Sequence, residues 1–320
     1  GSGGDDALSS NRRKNIIIDH CSISWSTDEA MSIYGGDSST LQWNLISEPL
    51  NYSYHFEKGD VDWEKHGYGG IWGGAHLSAH HNLFAHCVSR NPRFNGARLG
   101  SSSEFVDFRN NVIYNWQKKS TYGGEAGTYN MVNNFYKPGP STDKNAKTIL
   151  LDPSKTEILT YGQFFLSGNV IDGFQTDGSY DKKTISLSNS EGVIVETPFQ
   201  TDLIKTESAI SAYQSVLCDV GASFKRDSLD ERIVLDVKNN KGKIIDVQGG
   251  FPHGTKYEET LKAWPTLNSR KPDIDSDRDG MPDAWEKKNH LNPNDASDAS
   301  ITSNHRFYSN IELYINQLEK

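Results

Sequence analysis

Ser89-Arg90-Asn91-Pro92-Arg93 sets two guanidinium groups three residues apart around a proline, and Arg98 follows five residues later. Guanidinium groups in such a cluster suit anionic oxygens, which they grip through paired hydrogen bonds. A second constellation lies near the C-terminus, where Asp275-Ser276-Asp277-Arg278-Asp279-Gly280-Met281-Pro282-Asp283-Ala284-Trp285-Glu286 has the spacing of a twelve-position calcium loop. Carboxylates at loop positions 1, 3, 5, 9 and 12 converge on a hard cation only if position 6 turns the chain sharply. The spacing predicts side-chain oxygens from Asp275, Asp277, Asp279, Asp283 and a bidentate Glu286, a carbonyl from Met281, and the turn at Gly280. Without Ca2+ those carboxylates would repel one another. The loop reads as a structural clip and is no evidence of catalysis. Asn292-Pro293-Asn294-Asp295 offers a further set of oxygens, and Ile311–Leu318 reads as a closing helix.

A repeated strand positions the arginines. Asn15–Ser24, Thr40–Ser47, His76–His86, Phe105–Asn115, Thr128–Lys137 and Phe164–Asp172 each alternate apolar and polar residues. Aligned, they place Cys21, Asn44, Asn82, Asn111, Asn134 and Asn169 at one shared position, at spacings of 23, 38, 29, 23 and 35 residues. Alternation over so few positions argues for strands, and a strand-turn unit recurring every 20–40 residues or so argues for a solenoid. Parallel strands would then stack rung on rung, with each Asn amide bonding the Asn of the next rung. The competing reading is an antiparallel sandwich with Asn in its turns.

Long polar insertions at Glu48–Tyr68 and Pro138–Tyr161 leave the stack, as loops that build a binding face do. The first is rich in aromatics, including Tyr52, Tyr54, Phe56 and Trp63, and reads equally as a platform for sugar rings or as a loop folded on itself. Further strands are expected between Thr184 and Thr197, a helix over Glu207–Val220, and a capped turn at Arg226–Arg232 leading into a short helix at Ile233–Val237 that closes the solenoid. The domains expected are a solenoid over residues 1–250 with a helical segment near 207–238, a linker over 251–272, and a calcium-binding tail over 273–320.

The net charge of −9 argues against nucleic acid as a partner. Six acids and one arginine between Asp273 and Glu286 hold −5 of it, so the rest of the chain is only mildly acidic. Within that remainder Arg90, Arg93, Arg98 and Arg109 form the densest group of cations relative to the strands, suited to an anionic substrate. No apolar run is long enough to span a membrane. No signal peptide opens the chain, and Gly1-Ser2-Gly3-Gly4 reads as a tag remnant or an internal start. Cys21, Cys87 and Cys218 make no disulfide framework, and Cys21 and Cys218 read as small buried apolar groups.

Asn15-Ile16-Ile17-Ile18-Asp19-His20-Cys21-Ser22, His80-His81-Asn82-Leu83-Phe84 and Arg90-Asn91-Pro92-Arg93 together resemble the pectate lyases of polysaccharide lyase family 1. The Asp-rich loop is similar to the thrombospondin type 3-like tails of secreted bacterial lyases, especially those of gut Bacteroidetes. The resemblance covers roughly residues 5–240 and 273–320. It implies an all-β fold, a right-handed parallel β-helix with a small helical tail, and a monomeric enzyme acting on acidic plant polysaccharide, polygalacturonate or pectin. Secretion, or a periplasmic or cell-surface location, is implied with it. The family is longer at its N-terminus, so residue 1 is expected to begin inside a rung.

Carried over residue by residue, the resemblance makes Arg90 the Brønsted base and Arg98 the group that grips a substrate carboxylate, with Arg93 beside it. Asp6 and Asp28 correspond to the holders of a catalytic calcium. Ser32 stands where the family often has a third acid, so that site is expected to be weaker, or completed by Glu29 or by substrate. Tyr68, two residues after His66, stands where the family has a groove lysine, and Lys65 is expected to supply the charge from next door. The implied reaction is β-elimination, in which the proton at C5 of galacturonate is removed, the C4–O bond breaks and an unsaturated uronide remains. A guanidine is ordinarily protonated. The expectation is therefore that Arg93, Arg98 and calcium crowd Arg90 with positive charge, and that the rate rises toward alkaline pH. His80, His81 and the Asp19-His20 pair are expected to be structural. A hydrolase using Asp28 with Asp107 or Asp172, a lyase for rhamnogalacturonan, and a non-catalytic polysaccharide-binding solenoid are the rival readings.

Overall fold

In the computed structural model, described over residues 4–56, 58–60, 62–100, 104–174, 182–187, 191–201, 204–269, 271–303 and 308–318, the expected strands form and every ladder between them is parallel. Three sheets wrap one core. The first contains Leu8–Asn11, Met31–Gly36, Ile71–Gly74, Arg93–Phe94, Thr121–Gly123 and Leu151–Pro153. The second runs from Ile17–Asp19 to Ile194–Val195, and the third from Ser22–Ser24 to Val170–Ile171. Each turn of chain visits the first, second and third sheets in that order, which is a parallel β-helix. The sandwich reading is excluded.

The asparagine ladder stands at the corner between the second and third sheets. The Asn44 side chain accepts from the Cys21 amide, Asn82 from both the backbone and the side-chain amide of Asn44, Asn111 from those of Asn82, Asn134 from those of Asn111 and Asn169 from those of Asn134, all within 3.1 Å. The residue before each ladder position takes a left-handed conformation, at His20, Trp43, His81, Asn110, Asn133 and Gly168. That bend aims the amide along the stack, and the ladder satisfies backbone groups that the corner removes from the sheets. Losing one such buried partner costs about 1–3 kcal/mol.

Inside, Leu41, Ala79, Phe108 and Met131 lie in register on successive rungs, and Phe94, Tyr129 and Phe164 stack with ring centroids 4.5 and 4.7 Å apart. The third sheet is apolar on both faces. Its outward Leu45, Leu83, Val112, Tyr114 and Phe135 pack under helices α1 (Ala209–Asp219) and α2 (Ser228–Asn239). Ser208 caps α1 and Asp227 caps α2 by accepting from backbone amides. The second helix thus begins five residues before the expected Ile233, and the pair covers a flank of the solenoid where closure of its end was expected.

Positions 188–190 of the expected Thr184–Thr197 strands lie outside the described residues, while Ile194–Val195 forms a strand and Ile185 bridges to Leu151. Cys218 is exposed and not buried as expected, because it falls on the outer face of α1, and all three cysteines are free. The chain divides into two compact units, Gly1–Ala222 with Arg226–Pro265, and Ser223–Lys225 with Thr266–Lys320. Short helix α3 (Tyr257–Thr260) belongs to the first, and α4 (Asp283–Lys288) and α5 (Asn310–Gln317) to the second. No described helix is long and apolar enough to cross a membrane.

Candidate active site

Successive rungs deliver acids, a histidine, a tyrosine and an arginine to one corner, where the chain enters the first sheet. Glu29, Tyr68 and Ser89 are bridged in parallel across three rungs, so Asp28, Glu29, His66, Tyr68 and Arg90 come together although 62 residues separate the ends of that set. Asp6 joins from the rung before, its carboxylate accepting from the Glu29 amide at 3.1 Å. Arg90 holds φ at +58°, a left-handed conformation that bulky residues adopt at a cost. That bend turns its guanidinium onto two partners, the carboxylate of Glu29, with which it is ion-paired, and the ring of Tyr68, 4.5 Å from centroid to guanidinium carbon. The His66 ring lies 3.8 Å from Tyr68, and its Nε2 is 2.7 Å from Asp28 and 3.7 Å from Glu29.

One carboxylate oxygen from each of Asp6, Asp28 and Glu29 lies within 4.8 Å of the others. Burial, and next to it the charge of Asp28, pushes Asp6 up to about 6. Burial opposes ionisation of Asp28 as well, yet its hydrogen bond with His66 and the positive groups around it hold Asp28 below the usual carboxylate range. An all-oxygen set under mutual repulsion fits a hard divalent cation, which would relieve that repulsion.

The row facing away from the core on the first sheet continues from this corner. Arg93 lies in register with Ile71 on one side and Tyr122 on the other, and Tyr122 with Asp152. Ser32, where a third acid was sought, is fully buried and its hydroxyl accepts from the Ile71 amide at 3.1 Å. Arg93 meets Glu125 at 2.5 Å, and Arg98 lies 3.7 Å from the other oxygen of Glu125 while donating to the Asn95 carbonyl at 2.8 Å. Burial, with Arg93 nearby, lowers Arg98. Glu104, only 2% exposed, accepts from the Gly96 amide and the Tyr129 hydroxyl, both at 2.6 Å, and burial pushes it up to about 7. Gly96 needs its φ of +69° and its bare Cα, since a Cβ there would lie 2.6 Å from the Glu125 amide.

Several expectations need correction. The arginines are not an unopposed crowd of cations, since Glu29 pairs Arg90, and Glu125 pairs Arg93 and approaches Arg98. Arg109 is not with them. It sits on the second sheet and grips Asp107 through two nitrogens at 2.5 and 2.6 Å, which also leaves Asp107 without the role of a hydrolytic partner for Asp28. Lys65 does not join the corner but extends over the Tyr52 ring, 5.8 Å from its centroid. In the aromatic insertion Trp63 lies edge-on to Tyr54 and Phe56 and Tyr52 stacks on His253, while Tyr54 and Trp63 keep exposed faces, so both readings of that loop stand. His80 is half-buried and His81 buried, in keeping with the structural role expected of them. His81 stacks on Trp43.

The C-terminal loop forms a second carboxylate cluster in the other unit. Oxygens of Asp275, Asp277 and Asp279 converge, as do those of Asp279, Glu286 and Asp298. Gly280 has a φ of +98°, and Met281 is fully buried with its amide donating to Asp279. Asp283 departs from its expected place, because its carboxylate accepts from the Ser276 amide and hydroxyl at 2.8 and 2.9 Å. Asp298, missed by the sequence reading, stands in the cluster instead. Glu286 is fully buried, and neither of its oxygens has a hydrogen-bond partner among the described residues. Burial, followed by Asp277 and Asp279, pushes it up to about 7, and the donor set again fits a hard cation.

No protein-family model matches the chain. It is similar to the protein described as probable pectate lyase C of Aspergillus terreus, 30% identical over an alignment of 333 residues, gaps included, that covers 99% of this chain and 69% of the relative. The probable pectate lyase C of Aspergillus fumigatus strain CBS 144.89 is 31% identical with the same coverage. A solved pectate lyase C from Erwinia chrysanthemi, at pH 9.5 with 30 mM Ca2+, aligns with 68% of this chain and 61% of its own at 15% identity and a TM-score of 0.45, too slight a likeness to add to the sequence relatives.

Proposed function

The chain belongs to the pectate lyases, and on that premise we propose that it cleaves polygalacturonate by calcium-assisted β-elimination at the corner around Arg90, as a secreted enzyme of polysaccharide lyase family 1. The observation that carries this reading is the meeting of the base candidate Arg90 with the Asp6, Asp28 and Glu29 carboxylates across successive rungs. Asp6, Asp28 and Glu29 would hold calcium. When bound, it would draw charge from a substrate carboxylate and so make the neighbouring C5 proton more acidic.

The residues of the chain do the rest. Arg93 and Arg98, held by Glu125, offer guanidinium groups to uronate carboxylates along the outward row, where charge grows as C5 loses its proton. Tyr68 supports the Arg90 guanidinium from beneath. Arg90 in its neutral form takes the C5 proton. The electron pair of that C–H bond becomes the C4=C5 double bond, the C4–O bond breaks, and the departing oxygen takes a proton from solvent. No water is added, which separates this from hydrolysis. The carboxylates of the tail, Asp275, Asp277, Asp279, Glu286 and Asp298, would hold a second calcium with a structural role.

The test is ultraviolet absorbance of the unsaturated product from polygalacturonate. Product is expected with calcium at alkaline pH and its loss with a chelator. Chain scission without absorbance would mean hydrolysis, and binding without scission a non-catalytic solenoid.

A further inference from the structure

We propose that Glu29 is a carboxylate shared between the cation site and Arg90, so that cation binding and the release of Arg90 from its ion pair are one event; this rests on the calcium-assisted reading above. Ser32 brings no charge: its hydroxyl oxygen accepts from the Ile71 amide, and the hydroxyl also bonds the Asp6 carboxylate. Glu29 stands next to Asp28 in the chain and is 1% exposed. Its amide is tied to Asp6, and one of its carboxylate oxygens lies within the same 4.8 Å cluster as one each from Asp6 and Asp28. The oxygen that meets the Arg90 guanidinium, Oε1, is also the one 3.7 Å from His66. Both carboxylates thus lie on the corner, and among the described residues Glu29 is the only member of the cluster ion-paired with Arg90.

The charges support the sharing. Three carboxylates against the single guanidinium leave two negative charges, which is what a divalent cation neutralises. With the cation absent, Glu29 has Arg90 as its counter-charge. With the cation present, the carboxylate serves the cation, and Arg90 is left to face the sugar. Glu29 thus takes the place of the acid missing at position 32, and it ties readiness of the base to occupancy of the metal site.

The experiment is calcium titration calorimetry on the full chain, with Glu286→Gln used to identify the component due to the tail. Glu29→Gln is expected to weaken the corner site by about tenfold or more, and Arg90→Ala, which removes the competitor, to tighten it by about tenfold. In the Glu29→Gln background the Arg90→Ala effect should shrink to about threefold or less, since only through-space repulsion is left to relieve. A folded Glu29→Gln chain with calcium affinity within about twofold of the parent overturns the proposal, as does an Arg90→Ala effect of equal size in both backgrounds. Should Glu29→Gln fail to fold, Arg90→Ala alone decides, because unchanged or weaker calcium binding contradicts a competition for Glu29. These readouts need no turnover. Product formation with unaltered affinities sinks only the shared carboxylate, whereas a parent chain that yields no unsaturated product sinks the lyase reading.

Discussion

The corner cluster and the tail cluster both gather buried carboxylates, yet they treat the surplus charge in opposite ways. At the corner, Glu29 has Arg90 as a counter-ion and Asp28 has a close contact with the His66 ring. In the tail, Lys287 approaches Asp283, which lies outside the cluster, and Glu286 has no partner at either oxygen among the described residues. A cluster with its own counter-charges can stand empty and exchange its ion, as catalysis demands. One that lacks them stays folded only when a cation is present.

The largest expected effect is on the corner. Arg90→Ala should lower kcat on polygalacturonate by about 10³-fold, with amide exchange in the tail unaltered; a loss under tenfold would remove Arg90 from the chemistry. Next, Glu286→Gln should leave the asparagine ladder protected from exchange while residues 275–303 and 308–318 lose protection. If the tail kept its protection, the contrast between the clusters would be broken.

A smaller effect sharpens the corner's side. Glu125→Gln frees Arg93 and Arg98 from their shared anchor, and KM should rise by about tenfold with kcat less affected, since hydrogen bonds to charged groups contribute about 1.5–3 kcal/mol. A pure fall in kcat would put Glu125 in the transition state instead. The smallest effect concerns pH. Glu104 sits at about 7 in the folded chain against an ordinary 4.5, so the folded state binds more protons between those values. The stability it contributes is therefore present below about 4.5 and lost as pH rises through about 7. Glu104→Gln should flatten that slope in urea titrations between these two pH values; an unchanged slope would assign it to other groups.

Much of the fold was legible because it repeats. The ladder positions from Cys21 to Asn169 each sit one residue after a bend, and that pattern is local enough to read along the chain. Arg90, Asp6 and Asp28 were found through resemblance, and their meeting follows from the stacking of rungs. Glu125 and Glu104 were not seen, because a carboxylate's partner across rungs depends on which loops fold back, and nothing local marks it beyond the glycines at 96, 123 and 124. Arg109 looked like one of the cluster because its density was counted along the sequence, whereas the corner between sheets sends it to another face. The second helix was expected to close the solenoid, yet the unbroken apolar runs Leu83-Phe84-Ala85 and Val112-Ile113-Tyr114 already called for cover on both faces of the third sheet. Asp298 lies beyond the twelve-position spacing that made the loop recognisable.

The most direct measurement is a crystal structure of the Arg90→Ala chain with calcium and a short oligogalacturonate. The account expects an ion among Asp6, Asp28 and Glu29, a uronate carboxylate against it, and the saccharide running over Arg93 and Tyr122. An oligosaccharide seated on another face, with no ion at that corner, would contradict it.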